Sequence, residues 1–131
     1  MKINGGCFCG AIRYQIDGPP HRTTNCHCRH CRRTSGAPFL TWAGFDLTKF
    51  KFIEGTPGQY ESRPLVTRQF CAVCGTQLTY QHAQDEDTIH VTVGSLDAPE
   101  EFEPEDHIWC DRMLPWLKLA DGLKQYKLGW E

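Results

Sequence analysis

The spacing of cysteines constrains this chain more than any other feature of its sequence. Eight of the 131 residues are cysteines. Seven form the groups Cys7-Phe8-Cys9-Gly10, Cys26-His27-Cys28-Arg29-His30-Cys31 and Cys71-Ala72-Val73-Cys74-Gly75, and Cys110 stands alone. Because the start of the chain shows no charged segment followed by an apolar run, we expect a cytoplasmic location. In a reducing compartment this cysteine count favours metal or redox chemistry over a disulfide framework.

The first and third groups predict a closed metal site. A zinc–sulfur bond of about 2.3 Å places neighbouring sulfurs of a tetrahedral site roughly 3.8 Å apart, which Cys-x-Cys and Cys-x-x-Cys spacings can meet. Gly10 and Gly75 follow the second cysteine of each pair, where a positive φ lets backbone amides face the sulfurs. We predict a structural zinc on Cys7, Cys9, Cys71 and Cys74. Free thiols and disulfides are the alternatives, although a bridge within the first pair would close a strained ring.

The middle group supplies three thiolates, from Cys26, Cys28 and Cys31. Three protein ligands and a vacant position are typical of a reactive zinc site. Three alternatives remain open at this point. The first is a closed structural site whose fourth ligand is Cys110, His27, His30 or His107. The second is a weak site that holds metal only when an exogenous thiol completes it, and the third is a redox pair formed by Cys28 and Cys31.

Arginines beside the middle group indicate the kind of ligand it would take. Zinc with three thiolates carries a formal charge of about -1 and attracts anions only when cations lie nearby. Arg29, Arg32 and Arg33 can supply that positive charge, and guanidinium groups bind carboxylates in a bidentate manner. We therefore expect a small thiol that bears carboxylates, bound by Arg32 and Arg33. The alternative is that these arginines are solvated or pair with acidic side chains.

Aromatic residues can complete a pocket beside the second metal. Trp42, Trp109 and Trp116 are candidates, and His107 would share the face of Trp109 if that segment is extended. We include His107 and Trp109 among the substrate-binding residues. The alternative is that the tryptophans fill the core and that His107 is structural. We expect Cys110 to be a small buried hydrophobe outside both sites.

The remaining sequence predicts a mainly β protein. The length fits one domain over residues 1–131, and 40% hydrophobic and 23% charged residues are ordinary for a globular chain. Residues 11–16, 50–53 and 88–93 are rich in β-branched and aromatic side chains and predict strands. Gly18-Pro19-Pro20 and Gly55-Thr56-Pro57-Gly58 predict turns, for which we expect hairpins. Short helical turns are predicted only at residues 29–34 and 113–119.

Taken together, these motifs resemble a known family. The segments that carry the resemblance are Gly6-Cys7-Phe8-Cys9-Gly10, Cys26-His27-Cys28-Arg29-His30-Cys31-Arg32-Arg33, Ser35-Gly36-Ala37-Pro38-Phe39, Phe70-Cys71-Ala72-Val73-Cys74-Gly75-Thr76, Gly94-Ser95-Leu96-Asp97, His107-Ile108-Trp109, Pro115-Trp116 and Asp121-Gly122-Leu123. Their order and spacing resemble the glutathione-dependent formaldehyde-activating enzymes, which share their domain with centromere protein V. The resemblance covers nearly the whole chain.

The resemblance implies a fold, two metals and a reaction. It implies a β-tent of packed antiparallel sheets, a structural zinc on Cys7, Cys9, Cys71 and Cys74, and a catalytic zinc on Cys26, Cys28 and Cys31. The implied activity joins formaldehyde to glutathione to give S-hydroxymethylglutathione, a carbon-sulfur lyase reaction. A glutathione carrier or a non-catalytic zinc module is the alternative.

Charge and hydropathy argue against two other classes of partner. With 14 basic and 16 acidic residues, the chain has no general attraction to nucleic acid. No apolar stretch is long enough to span a bilayer, so we expect no membrane partner. The sequence leaves the oligomeric state open.

Overall fold

The computed structural model describes residues 1–129. The strands are β1 (Lys2–Gly6), β2 (Arg13–Asp17), β3 (Arg22–Cys26), β4 (Leu40–Asp46), β5 (Phe50–Glu54), β6 (Gly58–Arg63), β7 (Val66–Phe70), β8 (Gln77–His82), β9 (Thr88–Thr92), β10 (Asp106–Ile108) and β11 (Lys124–Gln125). Helix α1 is Arg29–Ser35, and 3-10 turns lie at Leu47–Lys49, Val93–Ser95, Pro99–Glu101 and Cys110–Arg112.

Within these described residues the strands form two sheets. The small sheet has the order β1-β2-β5, and the large sheet has the order β11-β10-β3-β4-β9-β8-β7-β6. All pairings are antiparallel except those of β10, which runs parallel to both β3 and β11. The prediction of a mainly β fold of packed antiparallel sheets is confirmed, with the β10 edge as the departure from purely antiparallel pairing.

The two glycine-proline turns are present, but the prediction of hairpins at them is wrong. The turn after β2 leads to β3, and the turn after β5 leads to β6, so each passes from the small sheet to the large one. Gly18 and Gly55 adopt φ values of 93° and 74° there, a region that glycine enters without steric cost. Alternating hydrophobicity identifies a strand but not its partner, which explains the error.

The hydrophobic core lies between the two sheets. Ala43 and Phe45 of β4 pack in one cluster with Ile89 and Val91 of β9 and with Tyr14 of the small sheet. Because successive side chains of a strand point to opposite faces, the intervening residues of β4 and β9 face away from this core. This outer face of the large sheet carries the second cysteine group.

Helix α1 begins where the second cysteine group lies. Cys28 is its N-cap, and its sulfur accepts a hydrogen bond from the backbone amide of Cys31. Gly36 ends the helix with a φ of 69° and donates its amide to the carbonyl of Arg32. The helix predicted at residues 29–34 is confirmed.

The prediction of a helix at residues 113–119 is wrong. The structure has a single turn there, closed by the Leu117 amide and the Leu114 carbonyl. Pro115 has no amide hydrogen to contribute to a longer helix. Across residues 1–129, none of the helical segments has the length and apolar character needed to cross a membrane.

Candidate functional site

Four cysteines from two turns meet at one edge of the molecule. Cys7 and Cys9 follow β1, and Cys71 and Cys74 follow β7. Their sulfurs all lie within 4.8 Å of one another; the Cys7–Cys9 and Cys9–Cys71 sulfur pairs are 3.6 and 3.8 Å apart. These separations match the roughly 3.8 Å of a tetrahedral zinc–thiolate site. The cluster has the donors and the size to hold a metal ion.

The backbone around this four-cysteine cluster supports negatively charged sulfur. The Ile12 amide donates to Cys7 Sγ at 3.2 Å, and the Val73 and Cys74 amides donate to Cys71 Sγ at 3.4 Å. The Thr76 side chain bonds Cys74 and lowers the pKa of that thiol to about 5. Gly10 and Gly75 have φ values of 84° and 83°, so both glycines take the positive φ expected at these turns. Backbone donors of this kind stabilise thiolate ligands.

The second cluster joins the end of β3 to the start of α1. Cys26 closes the strand, Cys28 caps the helix and Cys31 lies in its first turn. Their three sulfurs lie within 4.8 Å of one another, and Cys26 and Cys31 are buried. The Trp42 indole Nε1 donates to Cys31 Sγ at 3.4 Å. Short local spacing therefore produces this three-cysteine cluster, as the sequence indicated.

The three thiols of this cluster have their pKa values shifted in different directions. Hydrogen bonds from the Cys26 and Cys31 thiols lower the pKa of Cys28 to about 2. The same bonds raise the pKa of Cys26, which acts as a donor. A lowered thiol pKa favours the thiolate form in which cysteine binds metal.

Within residues 1–129, no fourth side chain completes the three-cysteine cluster. His27 Nε2 lies 2.8 Å from His107 Nδ1, and His107 Nε2 donates to the Asp121 carboxylate at 2.7 Å. These contacts engage both rings away from the sulfurs. Cys110 begins a separate 3-10 turn and joins neither cluster. A tetrahedral ion on the three sulfurs would keep one position for an exogenous ligand.

A cavity of about 870 Å3 opens beside the three-cysteine cluster. Its wall is strongly basic: among the described lining residues, five arginines face one acidic side chain, Asp85. The arginines are Arg29, Arg32, Arg63, Arg68 and Arg112, and the aromatic lining residues are Trp42, Tyr80 and Trp109. A cavity of this size and charge favours a small anionic ligand that reaches the sulfurs.

The structure brings only some of the predicted substrate-binding residues to this cavity. Arg32 and Trp109 line it, whereas Arg33 is exposed on α1 and is not part of the lining. His107 is 1% exposed and is occupied by His27 and Asp121 rather than by the cavity. The cause is backbone geometry: extended structure ends at Ile108, so the face shared by His107 and Trp109 is lost.

Trp109 adopts an unusual backbone conformation. Its φ is 57° and its ψ is 40°, a left-handed region that costs a non-glycine residue about 1–2 kcal/mol. The Trp109 amide donates to the Leu128 carbonyl at 2.9 Å, and its carbonyl accepts from the Arg112 amide at 3.0 Å. Such strain is often found at functional sites. Of the other two tryptophans proposed for the pocket, Trp42 lines the cavity and Trp116 is exposed and does not.

Sequence reasoning missed the cavity residues that β7, β8 and β9 supply. Arg68, Tyr80 and His90 lie directly opposite one another on β7, β8 and β9. Because paired residues point to the same face of a sheet, these side chains form a row on the cavity floor. The row depends on strand register, for which the sequence held no local signal.

Fold and site define the class as a mainly β protein with two cysteine clusters, one of which opens into a basic cavity. The family model for "Glutathione-dependent formaldehyde-activating enzyme" matches residues 2–112. The chain belongs to the glutathione-dependent formaldehyde-activating enzyme family.

Individual relatives are distant. A protein of Halomonas elongata named "Putative glutathione-dependent formaldehyde-activating enzyme" is 25% identical over 136 residues, which span 91% of this chain and 82% of the relative. A Schizosaccharomyces pombe protein named as an uncharacterized lyase is 28% identical over 81 residues, 62% of this chain and 58% of that protein.

A solved structure shares the fold. The crystal structure of a Rhodobacter sphaeroides protein superposes with a TM-score of 0.61 at 20% identity, covering 94% of this chain and 98% of that one.

Proposed function

We propose that this protein is a zinc-dependent enzyme of carbon-sulfur lyase type, acting in the cytoplasm. It combines formaldehyde with glutathione to form S-hydroxymethylglutathione and catalyses the reverse cleavage. One observation carries the proposal: three convergent thiols, without a fourth ligand among residues 1–129, open into a basic cavity. The family and the named relatives support the same chemistry.

We propose that zinc occupies both cysteine clusters. Cys7, Cys9, Cys71 and Cys74 would hold a structural ion in a closed shell, because four thiolates complete its coordination. Cys26, Cys28 and Cys31 would hold the second ion. Zinc bound there would keep a thiol ionised and polarise an aldehyde oxygen. We also propose that residues 1–131 form one domain, since the first cluster joins Cys9 to Cys71, 62 positions later.

The reaction needs little from the protein beyond binding and orientation. The glutathione sulfur forms a bond to the formaldehyde carbon, the π electrons of the carbonyl move to its oxygen, and the thiol proton ends on that oxygen. Arg32 would bind a carboxylate of glutathione. Trp42 would steady Cys31 through its indole hydrogen bond. Trp109 would cover the ligand from its fixed backbone position.

Exchange spectroscopy tests this proposal directly. The rate at which ¹³C-formaldehyde exchanges between free hydrate and S-hydroxymethylglutathione should rise with zinc-loaded protein. Cys28→Ser should lose that acceleration, whereas Cys110→Ser should keep it because Cys110 belongs to neither cluster. Equal exchange rates with and without protein, despite glutathione binding, would identify a glutathione carrier instead of an enzyme. Zinc binding without glutathione binding would favour the non-catalytic zinc module, and binding of neither would refute all three functions.

A further inference from the structure

Arg68 is the most deeply buried charged side chain of the cavity wall. It lies on β7 and is 1% exposed. Its Nε donates to Ser62 Oγ at 3.1 Å, and its Nη1 donates to Thr34 Oγ1 at 3.3 Å. The guanidinium carbon lies 5.0 Å from the ring centre of Tyr80 and 5.9 Å from that of Trp42. Arg68 is therefore held by hydrogen bonds to α1 and β6 and by two aromatic rings.

These contacts do not neutralise the guanidinium charge. Within residues 1–129, no acidic side chain forms an ion pair with Arg68. Both hydroxyl partners are neutral, and aromatic faces compensate only part of the cost of burying a cation. A guanidinium has five N–H donors, and contacts with the described part of the chain use two of them. The remaining donors are available to an anion that enters the cavity.

One indole ring connects Arg68 to the three-cysteine cluster. Trp42 contacts the guanidinium through its ring and donates to Cys31 Sγ from Nε1. Arg68 and the three cysteines also line the same cavity. A ligand whose sulfur meets the cluster can thus place a carboxylate beside Arg68 on the far side of Trp42. Arg32 lines this cavity too, and its buried Nε has no hydrogen-bond partner among residues 1–129.

We propose that Arg68 binds a carboxylate of the thiol ligand and makes the cavity specific for thiols that carry one. This inference rests on the proposed function, because it takes a thiol as the ligand. It assigns specificity to a buried arginine on the sheet rather than to the exposed Arg33 of α1. A rigid, partly desolvated guanidinium is well suited to this role, since charge-assisted bidentate bonds are strongest where water is excluded.

Binding calorimetry on the zinc-loaded protein tests the inference with two probes. Glutathione carries two carboxylates, whereas glutathione diethyl ester keeps the thiol and blocks both. We expect wild-type protein to bind glutathione at least about 10-fold more tightly than the ester. Equal affinities, or no binding of either probe, would overturn the inference without any variant being needed.

Variants separate Arg68 from the general charge of the cavity. Arg68→Met removes the guanidinium and keeps its bulk, and should reduce the glutathione-to-ester affinity ratio about 10-fold while leaving ester affinity unchanged. Arg68→Lys keeps the charge and should give an intermediate ratio. Arg112→Met is the matched control, because it removes one exposed cationic side chain from the same cavity. It should change the ratio less than 2-fold.

Two results would contradict this assignment. If Arg68 is purely structural, Arg68→Met will weaken the binding of glutathione and of its ester equally. If the effect is general electrostatics, Arg112→Met will change the affinity ratio as much as Arg68→Met does. Thermal unfolding of each variant shows whether it is folded. If Arg68→Met is unfolded, the glutathione-to-ester affinity ratios of Arg68→Lys and of the wild type decide the assignment.

The exchange assay tests the proposed enzyme separately from this inference. Arg68-dependent glutathione binding without catalysis would refute the proposed enzyme alone. Catalysis with a glutathione-to-ester affinity ratio near one would refute the inference alone.

Discussion

Replacing Cys71 by serine should destabilise the protein by breaking the four-cysteine cluster. Cys71 is buried, and its sulfur lies 3.8 Å from that of Cys9. The Cys71 sulfur also accepts hydrogen bonds from the backbone amides of Val73 and Cys74. A serine hydroxyl is a poor zinc ligand, so the proposed metal link between the first and third cysteine groups would open. The side-chain volume changes little, which isolates the loss of the link.

The magnitude follows from the length of chain that the cluster closes. Cys9 and Cys71 are 62 positions apart. A cross-link that closes a loop of that length raises the free energy of the unfolded chain by about 4 kcal/mol, because it removes conformational entropy. A domain of this size is usually stable by only 5–15 kcal/mol. Cys71→Ser should therefore remove a large share of the stability and lower the unfolding midpoint by roughly 15 °C.

Urea unfolding followed by circular dichroism in zinc-buffered solution measures the effect. Cys110→Ser is the control, since Cys110 lies outside both clusters, and it should stay within about 1 kcal/mol of wild type. Metal analysis of the same samples should find one zinc fewer in Cys71→Ser. If Cys71→Ser also stays within about 1 kcal/mol of wild type, the first cluster is not a structural metal link.

Three further substitutions probe the scaffold. Leu65 is exposed in the β6–β7 turn at a φ of 72°, a conformation that strains leucine and that asparagine tolerates better. Leu65→Asn should therefore raise the free energy of unfolding by about 1 kcal/mol. A lower free energy of unfolding in urea titration would contradict the proposed strain. Tyr14→Phe removes a buried 2.6 Å hydrogen bond to Ser95 and should cost about 1 kcal/mol in the same titration; no change would show that the bond contributes nothing. Arg13 forms an ion pair with Asp97 and lowers the pKa of that carboxyl from its ordinary 3.8. This ion pair therefore stabilises the fold at neutral pH, and the stabilisation is lost as the pH falls below about 4. The wild-type advantage over Asp97→Asn should be under about 1 kcal/mol at pH 7, because both groups are partly exposed, and should vanish near pH 2; an advantage that grows in acid would be inconsistent with this sign.

Local patterns predicted the parts of this protein that depend on local sequence. The three strand segments alternate or are rich in β-branched and aromatic residues, and each lies within or overlaps β2, β5 or β9. The three-cysteine cluster follows from spacings of two to five residues, and each cysteine pair of the other cluster follows from a short spacing and a glycine that accepts positive φ. Turns were also located correctly. Short-range geometry determines these features, so a single sequence is sufficient.

Features that depend on long-range pairing could not be predicted in this way. The glycine-proline turns switch sheets instead of forming hairpins because the partner of each strand is chosen by the whole fold. The positions of Arg68 and Tyr80 on the cavity floor follow from the register of β7 with β8. His107 was expected beside Trp109, but the left-handed backbone at Trp109 separates them. Register and backbone strain emerge only when the sheets assemble.

Anomalous diffraction at the zinc edge, with and without glutathione, is the most direct test of the central claim. We predict two peaks per chain, one within about 2.3 Å of the sulfurs of Cys7, Cys9, Cys71 and Cys74 and one at the same distance from those of Cys26, Cys28 and Cys31. With glutathione present, its sulfur should complete the second site and a carboxylate should contact Arg68. The absence of a second peak in the presence of glutathione, or a fourth protein ligand in its place, would contradict the proposed open thiol site.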